Sequence, residues 1–500
     1  MQTQVLVVGA GPAGSAAAYS LARHGVGVVL ADQCTFPRDK TCGDGISPAG
    51  VRVLMRIGVL DPAELTRGKR RLFSGVRIVA PGGASVDLHY PWPSQQTGFG
   101  QGCVIPRSEL DAMLVERAIA AGATFLPGFR AMEPIWSSGR VAGLGGVCHG
   151  SATAVKADVT IVATGARLHL LRALGLCDPA PPFTVGVRQY LRLPTDAFPG
   201  SYLRVYLEPN LLPDYAWVFP IDDRLVNVGL ASAGHWRVQG KNSLTALLGT
   251  FVGGTSAAAG SLAGAVPVGP PTGTPLRADF LRRKTCAAGV LVAGEAAGLV
   301  DPLTGEGISF ALQSGELAAE VAYRATLAHE FERALCTYER ALRQRFAAYF
   351  CFAWQLRSRL SDPRLANALV SDPGRPAQPS PHLGLGVAYC AAGAPLCAPV
   401  AACPGPLTLP GISDDGHPLP PDRTVTGKRR ESRRRRLCFH FVPELQLVQA
   451  VEQPVQRQQL VVCPRLYDLA TIDHIDHVGM LDSGYAVCDH ENRPPAHQDS

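Results

Sequence analysis

The sequence predicts an α/β fold: a parallel-sheet domain into which an antiparallel-sheet domain is inserted, followed by an irregular C-terminal tail. Three observations predict it. A β-branched run, Val5-Leu6-Val7-Val8, passes straight into Gly9-Ala10-Gly11-Pro12-Ala13-Gly14 and then into a helical pattern over Ser15 to Arg23. A second strand-and-glycine unit begins at Val290-Leu291-Val292-Ala293. Up to about Asp372, apolar runs, Gly-rich turns and amphipathic helices alternate as α/β chains require; beyond it the periodicity fades and Pro recurs.

Each residue type in the first unit answers a physical need. Four consecutive apolar residues suit a central parallel strand, buried on both faces. Gly9 permits a tight turn, Gly11 lets backbone approach a pyrophosphate, and Gly14 lets the helix pack closely on the strand. Pro12 falls in the first helical turn, where a missing N–H costs nothing. The helix N-terminus offers free N–H groups and partial positive charge to phosphates. The helix stops at His24-Gly25, as Gly favours. A second apolar run, Val26 to Ala31, then ends in Asp32, at the spacing where a carboxylate takes ribose hydroxyls. This is a Rossmann-like arrangement. A bound dinucleotide is expected, with Gly9, Gly11, Pro12, Ala13, Gly14, Asp32 and the adjoining Gln33 as its contacts.

The second unit reads Gly294-Glu295-Ala296-Ala297-Gly298, then Asp301-Pro302-Leu303-Thr304-Gly305-Glu306-Gly307-Ile308 and a long helix. It resembles the second flavin motif of the family that includes aromatic hydroxylases, flavin halogenases and geranylgeranyl reductases. The resemblance implies FAD. Gly294 and Glu295 would stand at the ribitol, with Glu295 where the hydroxylases usually carry Asp. Gly305, Gly307 and Ile308 would bring a helix N-terminus to the flavin pyrimidine, where its dipole stabilises negative charge by about 0.3–2 kcal/mol. Asp158 to Gly165 ends in an Ala-Thr-Gly turn common in these flavoproteins. Arg107 opens a helix where family members place an Arg near the isoalloxazine; the alternative is an ion pair at the surface. No further strand–G-x-G-x-x-G–helix unit follows, since Gly143-Leu144-Gly145-Gly146 lacks the last glycine. NAD(P)H therefore binds transiently, or a redox protein supplies electrons.

Phe36-Pro37-Arg38-Asp39-Lys40-Thr41-Cys42-Gly43-Asp44-Gly45 is similar to the F-P-R-x-K-x-C-G-x-G segment of the geranylgeranyl reductase family. Pro213-Asp214-Tyr215-Ala216-Trp217-Val218-Phe219-Pro220, then Asn227-Val228-Gly229, resembles that family's Y-x-W-x-F-P strand and N-V-G follower. The resemblance runs from about Val5 to Asp372. It implies an FAD-dependent oxidoreductase that reduces C=C bonds of isoprenoid chains, on a geranylgeranyl lipid or a menaquinone side chain. Cys42, with Gly43 in the loop expected beside the isoalloxazine, is the candidate proton donor or flavin-positioning group; the alternative is a small buried hydrophobe. Tyr215 and Trp217 share one strand face and either line a lipid pocket or pack the core. Halogenases carry W-x-W-x-I-P, from which Tyr215 and Phe219 depart. A flavin-dependent monooxygenase or halogenase is the alternative enzyme, and an inactive FAD-binding protein with a damaged C-terminus is the third reading.

The expected organisation is an FAD-binding domain over 1–180, with an excursion to the substrate domain at about 70–100. The antiparallel-sheet substrate domain follows over 181–280, mainly Thr184 to Pro275. The second part of the FAD domain with C-terminal helices covers 281–372, and a tail that is disordered or translated out of frame covers 373–500. The apolar fraction of 46%, charged fraction of 18% and net charge of +6 suit a globular chain and argue against a nucleic-acid binder. Met1 to Gln4 lacks a basic leader and the fourteen cysteines show no zinc spacing, so a reduced, cytoplasmic protein without a metal is expected. The helical pattern from Arg340 to Leu360 carries Phe346, Tyr349, Phe350 and Trp354 among Arg343, Arg345, Arg357 and Arg359. It suits peripheral contact with the inner face of a membrane, or packing of the aromatics onto the first domain. In the tail, Leu383 to Cys403 is uncharged but broken by Pro395 and Pro399. The Arg433–Arg436 block and the His/Asp cluster around His474 read as solvated charge rather than as sites.

Overall fold

The computed structural model describes residues 1–370 apart from 69, 91–98, 178–183, 196–197, 199, 233–242, 255 and 329–330. The expectations for the tail, including 383–403, the Arg block and the His/Asp cluster, lie outside the described residues.

The chain opens with β1 (Gln2–Val8), α1 (Pro12–Arg23) and β2 (Val28–Asp32). A connecting region holds β3 (Gly45–Ile46), α2 (Pro48–Arg56), α3 (Pro62–Thr66), β4 (Arg71–Phe73), β5 (Gly75–Val79), β6 (Ser85–His89) and β7 (Gly102–Val104). The chain returns through α4 (Arg107–Ala120), β8 (Thr124–Pro127), β9 (Phe129–Ser137), β10 (Arg140–Cys148), β11 (Ser151–Val162) and α5 (His169–Ala173). It then forms β12 (Thr184–Arg192), β13 (Tyr202–Tyr206), β14 (Ala216–Pro220), β15 (Leu225–Ser232), α6 (Leu244–Gly253) and β16 (Val266–Leu276). Last come β17 (Cys286–Ala287), β18 (Val290–Val292), α7 (Ile308–Leu327), α8 (Phe331–Arg359) and α9 (Pro363–Val370).

Two large sheets result. The first has the order β17-β18-β11-β1-β2-β8, with β10 and β9 continuing from β11 as an antiparallel meander. Its centre is parallel: Val8 pairs with Ala31 on one side and with Val162 on the other, and Val162 pairs with Val292. All four residues end their strands or stand next to the end, so the turns that follow β18, β11, β1 and β2 emerge side by side at one edge. The second sheet has the order β16-β12-β15-β14-β13-β5-β6. It is antiparallel except at one joint, because β5 enters from the connecting region and pairs in parallel with β13, Gly75 opposite Tyr202. The prolines of β16 lie on an edge strand, the place in a sheet where proline is tolerated.

The first sheet is held by helix contacts that leave no space for side chains. A methyl at Gly14 would lie 1.8 Å from the Gly9 carbonyl oxygen, and one at Gly315 of α7 would lie 2.1 Å from the Ala13 carbonyl oxygen. Helices α1 and α7 therefore touch backbone to backbone over the sheet, with Ala13 buried at that crossing. The aromatic residues of α8 divide. Phe346, Tyr349 and Phe350 are buried against Phe310 and Phe280, whereas Phe352 and Trp354 are 37% and 39% exposed. The described cysteines are all free thiols. Among the described residues no helix is long and apolar enough to cross a membrane.

Gly315→Val should force α7 off α1, costing about 1–3 kcal/mol as overpacking does. Equilibrium urea unfolding checks this by a lowered midpoint at unchanged slope.

Candidate functional site

The turns at the strand ends build a cradle. Gly9 adopts φ +99 and packs against the Ala163-Thr164 turn; a side chain there would meet the Ala163 carbonyl at 2.3 Å. Gly11 is the N-cap of α1 with no side-chain cap, and Pro12 is the first helical residue. The helix thus presents its N-terminal N–H groups to whatever occupies the turn. Above Gly11 lie two guanidinium groups, those of Arg107 and Arg38, 3.8 and 4.0 Å from where a methyl would stand. Both bind Asp111: Arg107 Nε and Nη2 donate to its two oxygens at 2.9 and 2.7 Å, and Arg38 Nη1 reaches it at 3.0 Å. Two cations against one carboxylate leave a positive surplus beside the glycine turn. Arg107 does form an ion pair, but a buried one, since it is 4% exposed.

Asp32 is fixed at the end of β2. Its carboxylate accepts the Ala10 N–H at 2.7 Å and the Cys34 N–H at 2.9 Å, leaving acceptor capacity for hydroxyls. Gln33 accepts from Arg167 at 3.0 Å. Gly294 adopts φ +65 and abuts Ala13, where a Cβ would come within 2.8 Å of that methyl. Glu295 stands by the Ala-Thr-Gly turn, 3.6 Å from a methyl position at Gly165, and its carboxylate takes Lys40 Nζ at 3.1 Å. In the turn that follows, Asp301 accepts from the Leu303 N–H, the Thr304 hydroxyl and the Tyr349 hydroxyl. It thereby fixes Gly305, at φ +64, and Gly307, the N-cap of α7 with no side-chain cap, ahead of Ile308. Two uncapped helix N-termini, a glycine turn roofed by guanidinium groups and two oriented carboxylates fit the phosphates and hydroxyls of FAD.

The second sheet meets this cradle through an aromatic row. Tyr215, Trp217 and Phe219 project from one face, with neighbouring ring centroids 6.3 and 6.2 Å apart. The Tyr215 hydroxyl donates to the Thr304 carbonyl, and burial, with the nearby Asp301 and Asp214 carboxylates, pushes its pKa up. Trp217 and Phe219 lie under Gly43, whose methyl position would be 3.0 Å from the Phe219 ring. The same row thus touches both loops that flank the cradle. Gly229 lies opposite Trp217 because any side chain there would strike the indole, at 2.2 Å. Asn227 accepts the indole N–H at 3.0 Å and donates to the Cys42 carbonyl at 2.7 Å. These contacts are a physical reason for the Y-x-W-x-F-P and N-V-G patterns.

Cys42 is half-buried, and its Sγ accepts the Asp44 N–H at 3.4 Å. Burial pushes its thiol pKa up; the Arg107 charge acts in the opposite sense. The thiol is therefore protonated at neutral pH, with a cation close enough to stabilise a thiolate. Sequence reasoning gave no role to five residues that hold the site together: Arg38, Asp44 and Asn227 entered only as parts of patterns, and Asp111 and Tyr190 not at all. Asp44 had a signal, an acid between two glycines, and Asp111 had its i,i+4 spacing from Arg107. Tyr190 had none.

Comparison with known proteins agrees with this geometry. A family described as FAD binding domain matches residues 2–170. A menaquinone reductase of Mycolicibacterium smegmatis is 32% identical over 332 residues, which cover 64% of this chain and 76% of that protein. A digeranylgeranylglycerophospholipid reductase of Methanoculleus marisnigri is 32% identical over 344 residues, 67% of this chain and 80% of that protein. Among solved structures, a geranylgeranyl bacteriochlorophyll reductase-like protein from Thermoplasma acidophilum superposes with a TM-score of 0.64 at 24% identity, covering 74% of this chain and 90% of that one. A flavin-dependent brominase superposes at 0.65 with 16% identity, covering 79% and 94%. At these identities the two structures speak for the fold alone.

Gly11→Ala should leave the fold intact, because a methyl there meets the Arg107 and Arg38 guanidinium groups only at ordinary contact distances of 3.8 and 4.0 Å, yet it intrudes on the cradle. FAD affinity is expected to fall by at least about tenfold, some 1.4 kcal/mol, measured by flavin fluorescence titration beside an unchanged urea midpoint.

Proposed function

The chain belongs to the geranylgeranyl reductase family of FAD-dependent oxidoreductases, and from that premise we propose that it reduces C=C bonds in the isoprenoid chain of a lipid or of menaquinone. What carries this reading is the similarity over most of their length to two reductases whose names specify menaquinone and digeranylgeranylglycerophospholipid.

Reduced FAD, when bound, supplies the hydride for one alkene carbon. The cradle glycines, Asp32, Glu295 and the α7 N-terminus would hold it. The protein must bring a proton to the other carbon in step with that transfer, because an unactivated alkene accepts hydride poorly. Cys42 suits proton delivery, since its thiol keeps its proton at neutral pH and the Arg107 charge favours the thiolate left behind. Solvent restores the proton to the thiolate once the reduced chain has left. The Tyr215–Trp217–Phe219 row orients the chain and keeps water out, so that the double bond is positioned rather than encountered.

Exposed Phe352 and Trp354 on α8, with exposed Arg359 beyond them, suit peripheral contact with an anionic membrane from which a lipid would enter. The electron donor is NAD(P)H bound transiently or a redox protein.

Anaerobic reaction of the FAD-reduced protein with geranylgeranyl diphosphate and with menaquinone should add the mass of two hydrogens per bond reduced, read by mass spectrometry, while the flavin is oxidised. Flavin that reoxidises only in air, with no change in substrate mass, overturns the reading in favour of an oxygen-using enzyme. Cys42→Ala should lower kcat by about 10²–10⁴-fold, the scale of one general acid, with FAD occupancy retained; unchanged turnover removes Cys42 from the chemistry.

A further inference from the structure

Asp44 is the most constrained residue of the loop that carries Cys42. It is fully buried and adopts φ +64, a left-handed conformation that Asp visits more readily than most residues. Its carboxylate gathers donors from three other segments. Oδ1 accepts the Arg107 N–H at 3.2 Å, and Oδ2 accepts the Tyr190 hydroxyl at 2.6 Å and Asn227 Nδ2 at 2.8 Å. Its own N–H meets Cys42 Sγ, and Asn227 holds the Cys42 carbonyl as well. Tyr190 and Asn227 are cross-strand partners on β12 and β15, so the carboxylate is gripped by the second sheet while its backbone touches the thiol.

A buried carboxylate is a costly way to fasten a loop, since an apolar side chain of similar volume often serves stability as well or better. Its particular property is that it can change charge. We propose that Asp44 is a positioning residue for Cys42: ionised, it clamps residues 42–44 onto the second sheet with the thiol beside Arg107, and protonated, it releases them. This rests on the reading that Cys42 delivers the proton.

Ionised, the carboxylate accepts at both oxygens. Protonated, one oxygen becomes a donor: towards the Arg107 and Asn227 N–H groups it finds no acceptor, and towards Tyr190 it is received only if that hydroxyl reverses its own bond, so the charge-assisted grip is lost. The titratable and charged groups around it are Tyr190 and Arg188 from β12, Arg107 from α4 and Cys42 on its own loop. Burial pushes the carboxyl up to about 6, against the hydrogen bonds of Tyr190 and Asn227 and the charges of Arg188 and Arg107. The clamp is therefore closed above about pH 6 and is lost as pH falls through that value.

The test uses the full chain loaded with FAD, and its labelling arm needs no substrate. Iodoacetamide labelling of Cys42, read by peptide mass mapping, is taken as a ratio to Cys34 in the same molecule. Burial raises the pKa of both thiols, so their thiolate fractions rise together with pH and the ratio cancels that trend. In the parent protein the ratio should rise several-fold as pH falls through about 6. In Asp44→Asn it should be high and independent of pH. In Tyr190→Phe, which removes a donor to the charged form, the inflection should move to higher pH. With menaquinone as substrate, kcat should fall through the same pH in the parent. In Asp44→Asn it should be lowered at every pH by about tenfold to a hundredfold, the scale of a small misplacement. A flat ratio in the parent, or an Asp44→Asn ratio that follows the parent's pH course, overturns the proposal. If labelling behaves as expected and menaquinone is not reduced, the substrate reading falls and the clamp stands; if menaquinone is reduced while labelling is flat, the clamp falls alone.

Discussion

Two sheets have to meet around one cofactor, and the loop of residues 41–45 is where they are tied. It leaves the parallel sheet after β2 and lies on the aromatic row of the second sheet, with the Asp44 carboxylate bound to Tyr190 and Asn227. An isolated carboxylate would suffer a large desolvation penalty in such a place. Three donors and two nearby guanidinium groups offset it. Because those donors come from α4, β12 and β15, the carboxylate links pieces that neither sheet could hold by its own ladder.

The same pairing of charge recurs around the cradle. Asp111 sits between Arg107 and Arg38, Asp279 between Arg277 and Arg283, and Asp214 against Arg357, all with at least one nearly dry partner. Breaking a buried pair leaves an unpaired charge, which is far more damaging than losing a surface bridge. Arg107 and Arg38 differ from the others in facing the glycine turn, where their surplus positive charge has an anion to meet. Arg357 instead pins the end of α8 to the turns around Asp214 and Pro302.

The parallel unit was legible because its constraints are local. A β-branched run, a glycine turn and a helix are neighbours in sequence, so Gly9, Gly11, Gly14 and Asp32 stand at spacings set by one strand and one helix. Helix α7 was legible from the glycines before it for the same reason. The second sheet was less so. Its inserted position and alternating aromatic strand could be read, but the parallel joint of β5 with β13 joins residues far apart in the chain, and no local pattern encodes that pairing. The aromatic helix divided along its buried and exposed faces, with Phe346, Tyr349 and Phe350 inside and Trp354 partly out, as packing against Phe310 decided.

By itself the sequence determined the two glycine-rich turns, the acids Asp32 and Glu295 at their strand ends, and the candidate thiol with the glycines that follow it. These follow from short-range rules on backbone freedom and helix dipoles. Only the tertiary structure decided what surrounds the thiol. Tyr190 gives no signal in its own segment, and Asn227 and Asp44 are 183 residues apart in sequence yet share a 2.8 Å hydrogen bond. A buried polar group must find its partners wherever the fold supplies them, and that requirement is satisfied in space rather than along the chain.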